Sequence, residues 1–155
     1  MKRRATAAIL IALIAACGGS EPAMTEEEAI AQVEHHIHDA ATQLHPPPRL
    51  EPLRPLDIPC VDRYDQATGQ FRVERDYWLR DIPTEDNQDI FNTLHHYWTT
   101  QNYEIKHDIR EEPNARFLEA QHEGFSISVQ ESTNGMLRLV AQSPCVWTAE
   151  SPDQR

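Results

Sequence analysis

Eight histidines are the residues of this chain best suited to chemistry. His35, His36 and His38 cluster, His95 and His96 are adjacent, and His45, His107 and His122 stand singly. Imidazole ligates zinc and copper, and a helix presents two rings on one face at i, i+4, as in H-E-x-x-H. The sequence has no such pair. His35 and His38 are spaced i, i+3, which also shares a face, with Glu34 and Asp39 close by. A surface zinc or copper site at His35 and His38 is therefore one expectation. Solvated histidines on the polar side of a helix are the plainer one. Histidines beside carboxylates also titrate between about pH 5 and 8, so acidification erodes the chain's negative charge.

Nucleophilic chemistry finds little footing. There is no G-x-S-x-G elbow. Ser126 and Ser128 fall in a strand pattern, on its wet side. Glu111 and Glu112 fall in a turn, and Asp57 and Asp62 flank Cys60 in a way that suits a solvated loop. No enzyme activity and no cofactor are expected.

Three cysteines remain, and they divide by context. Cys17 follows a positive stretch, Lys2-Arg3-Arg4, and a twelve-residue apolar run from Ala5 to Ala16. As a helix that run rises about 18 Å, well short of the roughly 30 Å of bilayer hydrocarbon. Its length is that of a signal-peptide core. Its end, Ile14-Ala15-Ala16-Cys17, resembles a bacterial lipobox. That resemblance implies cleavage before Cys17 and diacylation of its thiol, palmitate-type lipid included. Two acyl chains, at about 0.8 kcal/mol per buried CH₂, suffice to hold a domain on a membrane. The expected location is the extracytoplasmic face of the cell membrane, with membrane lipid as partner through Cys17. Residues 1–16 then form the signal peptide, and 17–24 the lipidated cysteine and a flexible tether. A single domain spans 25–148, with a polar tail at 149–155.

In such an exported domain Cys60 and Cys145, 85 positions apart, most simply form one disulfide. Chain entropy values a loop of that size at roughly 4–5 kcal/mol. The net charge is −11, and loss of residues 1–16, which carry three cations and no acids, takes it to −14. Such a surface repels nucleic acid and anionic headgroups and tolerates cationic partners.

The elements that must position these residues follow from periodicity. Thr25-Glu26-Glu27-Glu28 is a capping box, and Ile30, Val33, Ile37, Ala41 and Leu44 continue it as an apolar stripe, predicting a helix over about 25–45. Residues 46–59 hold six prolines, which predicts an extended PPII-like connector pressed on the core through Leu50, Leu53, Leu56 and Ile58. From Gln70, Phe71, Val73, Tyr77 and Leu79 alternate with charged residues as a strand. Thr84 is placed to cap a second helix running to about Gln101, with Ile90, Phe91, Leu94 and Trp98 inward. Asn102 stands at its end. A strand at Tyr103–Ile109, with His107 in phase with its apolar residues, precedes three more, and Asn134-Gly135 favours a type I′ hairpin. The class expected is α+β. It is a two-layer sandwich, with an antiparallel sheet of about five strands and two helices on one face.

The aromatic residues suggest a working surface. Strand alternation sends Trp78 away from the core with Arg72 and Arg80, in the manner of an interface anchor, unless the proline-rich segment covers it.

The ordered features together, a lipobox, an N-terminal helix, Cys60 before a strand carrying Tyr77-Trp78-Leu79-Arg80, a helix and a hairpin ending near Cys145, resemble small actinobacterial cell-envelope lipoproteins. They are similar in layout to the mycobacterial LppA-type lipoproteins. The resemblance implies no catalytic residues. A non-enzymatic envelope lipoprotein that binds an envelope protein or small ligand is the leading expectation, and a metal-binding protein using the helix histidines is the alternative.

Overall fold

A computed structural model describes residues 24–148. The expected signal peptide, Cys17, nearly all of the expected tether and residues 149–155 lie outside these residues. The described chain runs α1 (Glu26–Thr42), β1 (Arg49–Pro52), β2 (Leu56–Val61), β3 (Ala67–Arg80), a 3-10 turn at Thr84–Asp86, α2 (Asn87–Thr100), β4 (Glu104–Asp108), β5 (Phe117–His122), β6 (Phe125–Glu131) and β7 (Leu137–Gln142). The fold is α+β, an open antiparallel sheet of seven strands and two helices. No helix among the described residues is long and apolar enough to cross a membrane.

The capping box opens α1. Thr25 Oγ1 accepts from the Glu28 amide at 3.2 Å, and Glu28 Oε2 accepts from the Thr25 amide at 2.9 Å. These bonds satisfy donors that every helix start leaves orphaned, and the Thr25 amide and hydroxyl, both donating to Glu28 Oε2, hold that carboxyl below its usual range. Ala29, Val33, Ile37, Ala40 and Leu44 then fall on one face and are buried. They meet Ile90, Phe91, Leu94 and Trp98 of α2 and the inner row of the sheet in one continuous core.

The sheet runs in the order β1-β3-β7-β6-β5-β4, and β2 also pairs with β3. Strands β4 to β7 form the expected meander. The extra strands come from the proline-rich segment, which is not a PPII connector. Its two non-helical runs lie antiparallel to β3, with Glu51 opposite Trp78 and Ile58 opposite Arg72. Prolines tolerate this position because both runs are at the edge of the sheet. Leu50 and Leu53 are partly buried, whereas Leu56, opposite Glu74, points outward and is 46% exposed.

Several local expectations change. Thr84 lies inside the 3-10 turn and caps nothing, and α2 begins at Asn87 without a side-chain cap. The start of α2 is instead tied across the molecule. Asn87 Nδ2 donates to Glu131 Oε1 at 2.7 Å and to the Gly135 carbonyl at 2.8 Å. The β6–β7 turn is not type I′, because Gly135 has positive φ and Asn134 does not. A β-carbon at Gly135 would sit 2.9 Å from Thr84 Cγ2, so this position needs glycine for both backbone and space. In β4 a bulge between Ile105 and His107 breaks the alternation, leaving His107 and Ile109 exposed. Ser128 is buried on the outer face, although its alternation with apolar residues suggested a wet position.

Cys60 and Cys145 are joined as a disulfide, tying β2 to the segment after β7.

Candidate functional site

An open groove of about 920 Å³ lies where the N-terminal two-thirds of α1, the end of α2 and the β5–β6 turn converge. Sequence periodicity builds its α1 wall. Glu28, Gln32, His35 and Asp39 recur at i, i+4, i+7 and i+11, beside the buried stripe. Tyr97 closes it from α2, Gln101 and Tyr103 from the link between α2 and β4, and His122, Glu123 and Phe125 from the hairpin. At this corner of the inner sheet face the core row ends in the register pair His122 and Phe125.

His36 forms the floor. Its Nδ1 is joined to the Tyr103 hydroxyl by a 2.7 Å hydrogen bond, and its ring lies 5.1 Å from that of Phe125. Tyr103 stacks on His122 with centroids 4.7 Å apart. Burial, aided by the charges of His35 and His122, holds His36 below the ordinary imidazole value against the pull of Asp39 and Glu123. His36 is therefore neutral at neutral pH. Tyr97 donates to Asp39 Oδ2 at 2.6 Å. Burial and this bond raise the Tyr97 phenol, and burial raises that of Tyr103. No lysine or arginine lines the groove among the described residues, while Glu28, Asp39 and Glu123 do.

The residues singled out in the sequence fall in different places. His35 faces this groove. His38 points elsewhere, its Nε2 3.8 Å from Glu34 and its ring 6.2 Å from that of Tyr77. Among the described residues no three His, Cys, Asp or Glu side chains are grouped to hold a metal ion, so His35 and His38 do not meet a third ligand.

Trp78 lies on the sheet face opposite the helices and is half-buried. Arg80 covers part of it, with its guanidinium carbon 5.3 Å from the ring centroid, and is held by Glu51 at 2.9 Å. The proline-rich segment flanks Trp78 through Glu51 rather than lying across it. Arg72 is exposed two register positions below Glu74. The same face carries Asp76, buried to 8% exposure, with Oδ2 accepting from Arg138 at 3.0 Å and Oδ1 without a hydrogen-bond partner.

Sequence reasoning missed the groove as a unit. Tyr103 opens a strand in the sequence pattern and His122 stands singly, and nothing local indicates that they and Phe125 meet His36. The available signal was tyrosine in core phase, since a buried phenol needs a hydrogen-bond partner.

No family model, curated protein or solved structure matches the chain, so its function rests on these residues and their geometry.

Proposed function

We propose that the chain is a lipoprotein anchored through acylated Cys17 on the outer side of the cell membrane, with a domain that binds a small ligand in the α1–α2–hairpin groove without transforming it. The observation that carries this reading is the groove's combination of room and chemistry. Its volume lies in the range of small-molecule sites, and it mixes aromatic faces with a few convergent polar groups. Binding rather than turnover is favoured because no serine, threonine, cysteine or lysine among the described residues lines it beside His36. The lipobox and the short apolar run before it support the anchor, and the acidic balance supports a partner other than nucleic acid.

The test is amide NMR of the full-length protein exposed to the small-molecule fraction of an envelope extract. Shifts gathered at Gln32, His36, Tyr103 and Glu123 support the groove. Shifts confined to Trp78, Arg80 and Arg138 would instead support a second reading, favoured by the half-buried tryptophan on an uncovered sheet face, in which an envelope protein docks there. The anchor is tested separately: a palmitate analogue should label the wild type and leave Cys17→Ala unlabelled.

A further inference from the structure

Three carboxylates line the groove with three histidines and no lysine or arginine among the described residues, and the carboxylates are not bunched. Glu28 and Asp39 lie on one face of α1 and eleven residues apart, which a helix spaces at about 16 Å. Glu123 faces them from the β5–β6 turn. Between the two ends run Gln32 and His35 on α1, with Tyr103 and Phe125 opposite, while Tyr97 sits at the Asp39 end, bonded to it. The trough is thus long, negative at both ends and aromatic in the middle. Asp39 Oδ2 accepts from Tyr97, which leaves Oδ1 for a ligand donor, and Glu123 is exposed.

We propose that the groove takes a linear organic polycation of the polyamine class, its ammonium groups meeting Glu28, Asp39 and Glu123 and its methylene spacers lying over Tyr103 and Phe125. This rests on the groove being the binding site and names its ligand. Three features select that class over others. An anion meets three carboxylates with no lysine or arginine to receive it. A compact cation engages one end and leaves the other two carboxylates unmatched. A chain with spaced ammonium groups satisfies both ends at once, each N–H donating to a carboxylate in a charge-assisted bond. The aromatic faces suit its spacers and add cation–π attraction where an ammonium passes over a ring.

The experiment is calorimetric titration of the acylated mature protein in detergent micelles with spermine, at roughly physiological salt so that loose attraction is screened. The expected result is saturable one-to-one binding. Asp39→Asn with Glu123→Gln should weaken it by about tenfold or more, the loss expected for charged hydrogen bonds. Glu123→Gln alone, at an exposed turn residue, should weaken it in the same direction and guards against a folding defect in the pair. Glu111→Gln with Glu112→Gln removes the same charge from a remote turn and should leave affinity within about twofold. Equal losses in the remote and groove variants would show that net charge, not the groove, attracts spermine, and would overturn the proposal. So would the absence of saturation. Maltotriose and succinate serve as neutral and anionic probes by amide NMR. If either shifts Gln32, Tyr103 and Glu123 while spermine does not, the groove binds ligand and the polycation assignment fails. If no probe moves those residues and envelope extract moves only Trp78, the groove reading fails with it.

Discussion

The Tyr103 hydroxyl and His36 Nδ1 are 2.7 Å apart, and this bond joins α1 to the edge of the sheet. It is one of three of its kind. Tyr77 of β3 donates to both oxygens of Glu34, at 3.0 and 2.8 Å, and Tyr97 of α2 donates to Asp39. Three phenols from three elements thus hold the polar flanks of α1, while its apolar stripe is buried between them.

His36 should make the domain acid-sensitive. Its folded value lies below the ordinary 6.5, so the unfolded chain takes up the proton first. The stabilisation is complete above about pH 6.5 and is lost as pH falls through the folded value. Melting temperatures should fall between pH 7.5 and 5, and His36→Gln should flatten that slope. An unchanged slope in the variant would reassign the acid response to other groups.

The alkaline side should belong to tyrosine. Burial and the bond to Glu34 push Tyr77 up to about 12 from its ordinary 10. A raised folded value means stability fully present below about pH 10 and lost as pH rises through about 12. Tyr77→Phe should lose about 1 kcal/mol at neutral pH, as for one hydrogen bond, and should shift the alkaline transition upward. Denaturant melts at pH 7 and 11 would check both.

Trp98 and Trp78 should behave differently on truncation. Trp98 is fully buried in the core, and truncation to alanine should cost about 3–5 kcal/mol. Trp78 is half-buried on the outer face, and Trp78→Ala should cost under about 1 kcal/mol. Chemical denaturation of the two variants decides the matter, and a larger cost at Trp78 would reverse the assignment of the faces.

Asp76 should be a stability liability at neutral pH. Burial raises its carboxyl, Glu74 adds to the effect, and Arg138 opposes it. The raised folded value means that stability present in acid is lost as pH rises through it. Asp76→Asn can still accept from Arg138 while removing the buried charge. It should raise the melting temperature by a few degrees at pH 7.5 and not at pH 3.5. A fall at pH 7.5 would show that the ion pair outweighs the burial.

The helices, the meander and the inner face of β3 were readable because a single period carries each of them. Val33, Ile37 and Leu44 repeat as a helix must, and Phe71, Val73 and Leu79 as a strand must. Strands β1 and β2 were hidden because edge pairing relaxes the rule that excludes proline, so Pro52 and Pro59 argued for the wrong state. The α2 start was hidden because Asn87 is satisfied by Glu131 and Gly135, more than forty residues away, rather than by its own cap. The groove was invisible for the same reason: His36, Tyr103 and Phe125 become neighbours only once the sheet has formed.

Strands β1 and β2 share one edge of β3, set end to end, each short and each containing a proline. The opposite edge is β4, five residues long, with a bulge and Lys106 beside it. Neither margin offers an incoming chain an unbroken ladder of amide donors. Copies crowded side by side therefore have no seam along which to zip into a continuous sheet. The margins of this open seven-stranded sheet thus discourage edge-to-edge pairing between copies.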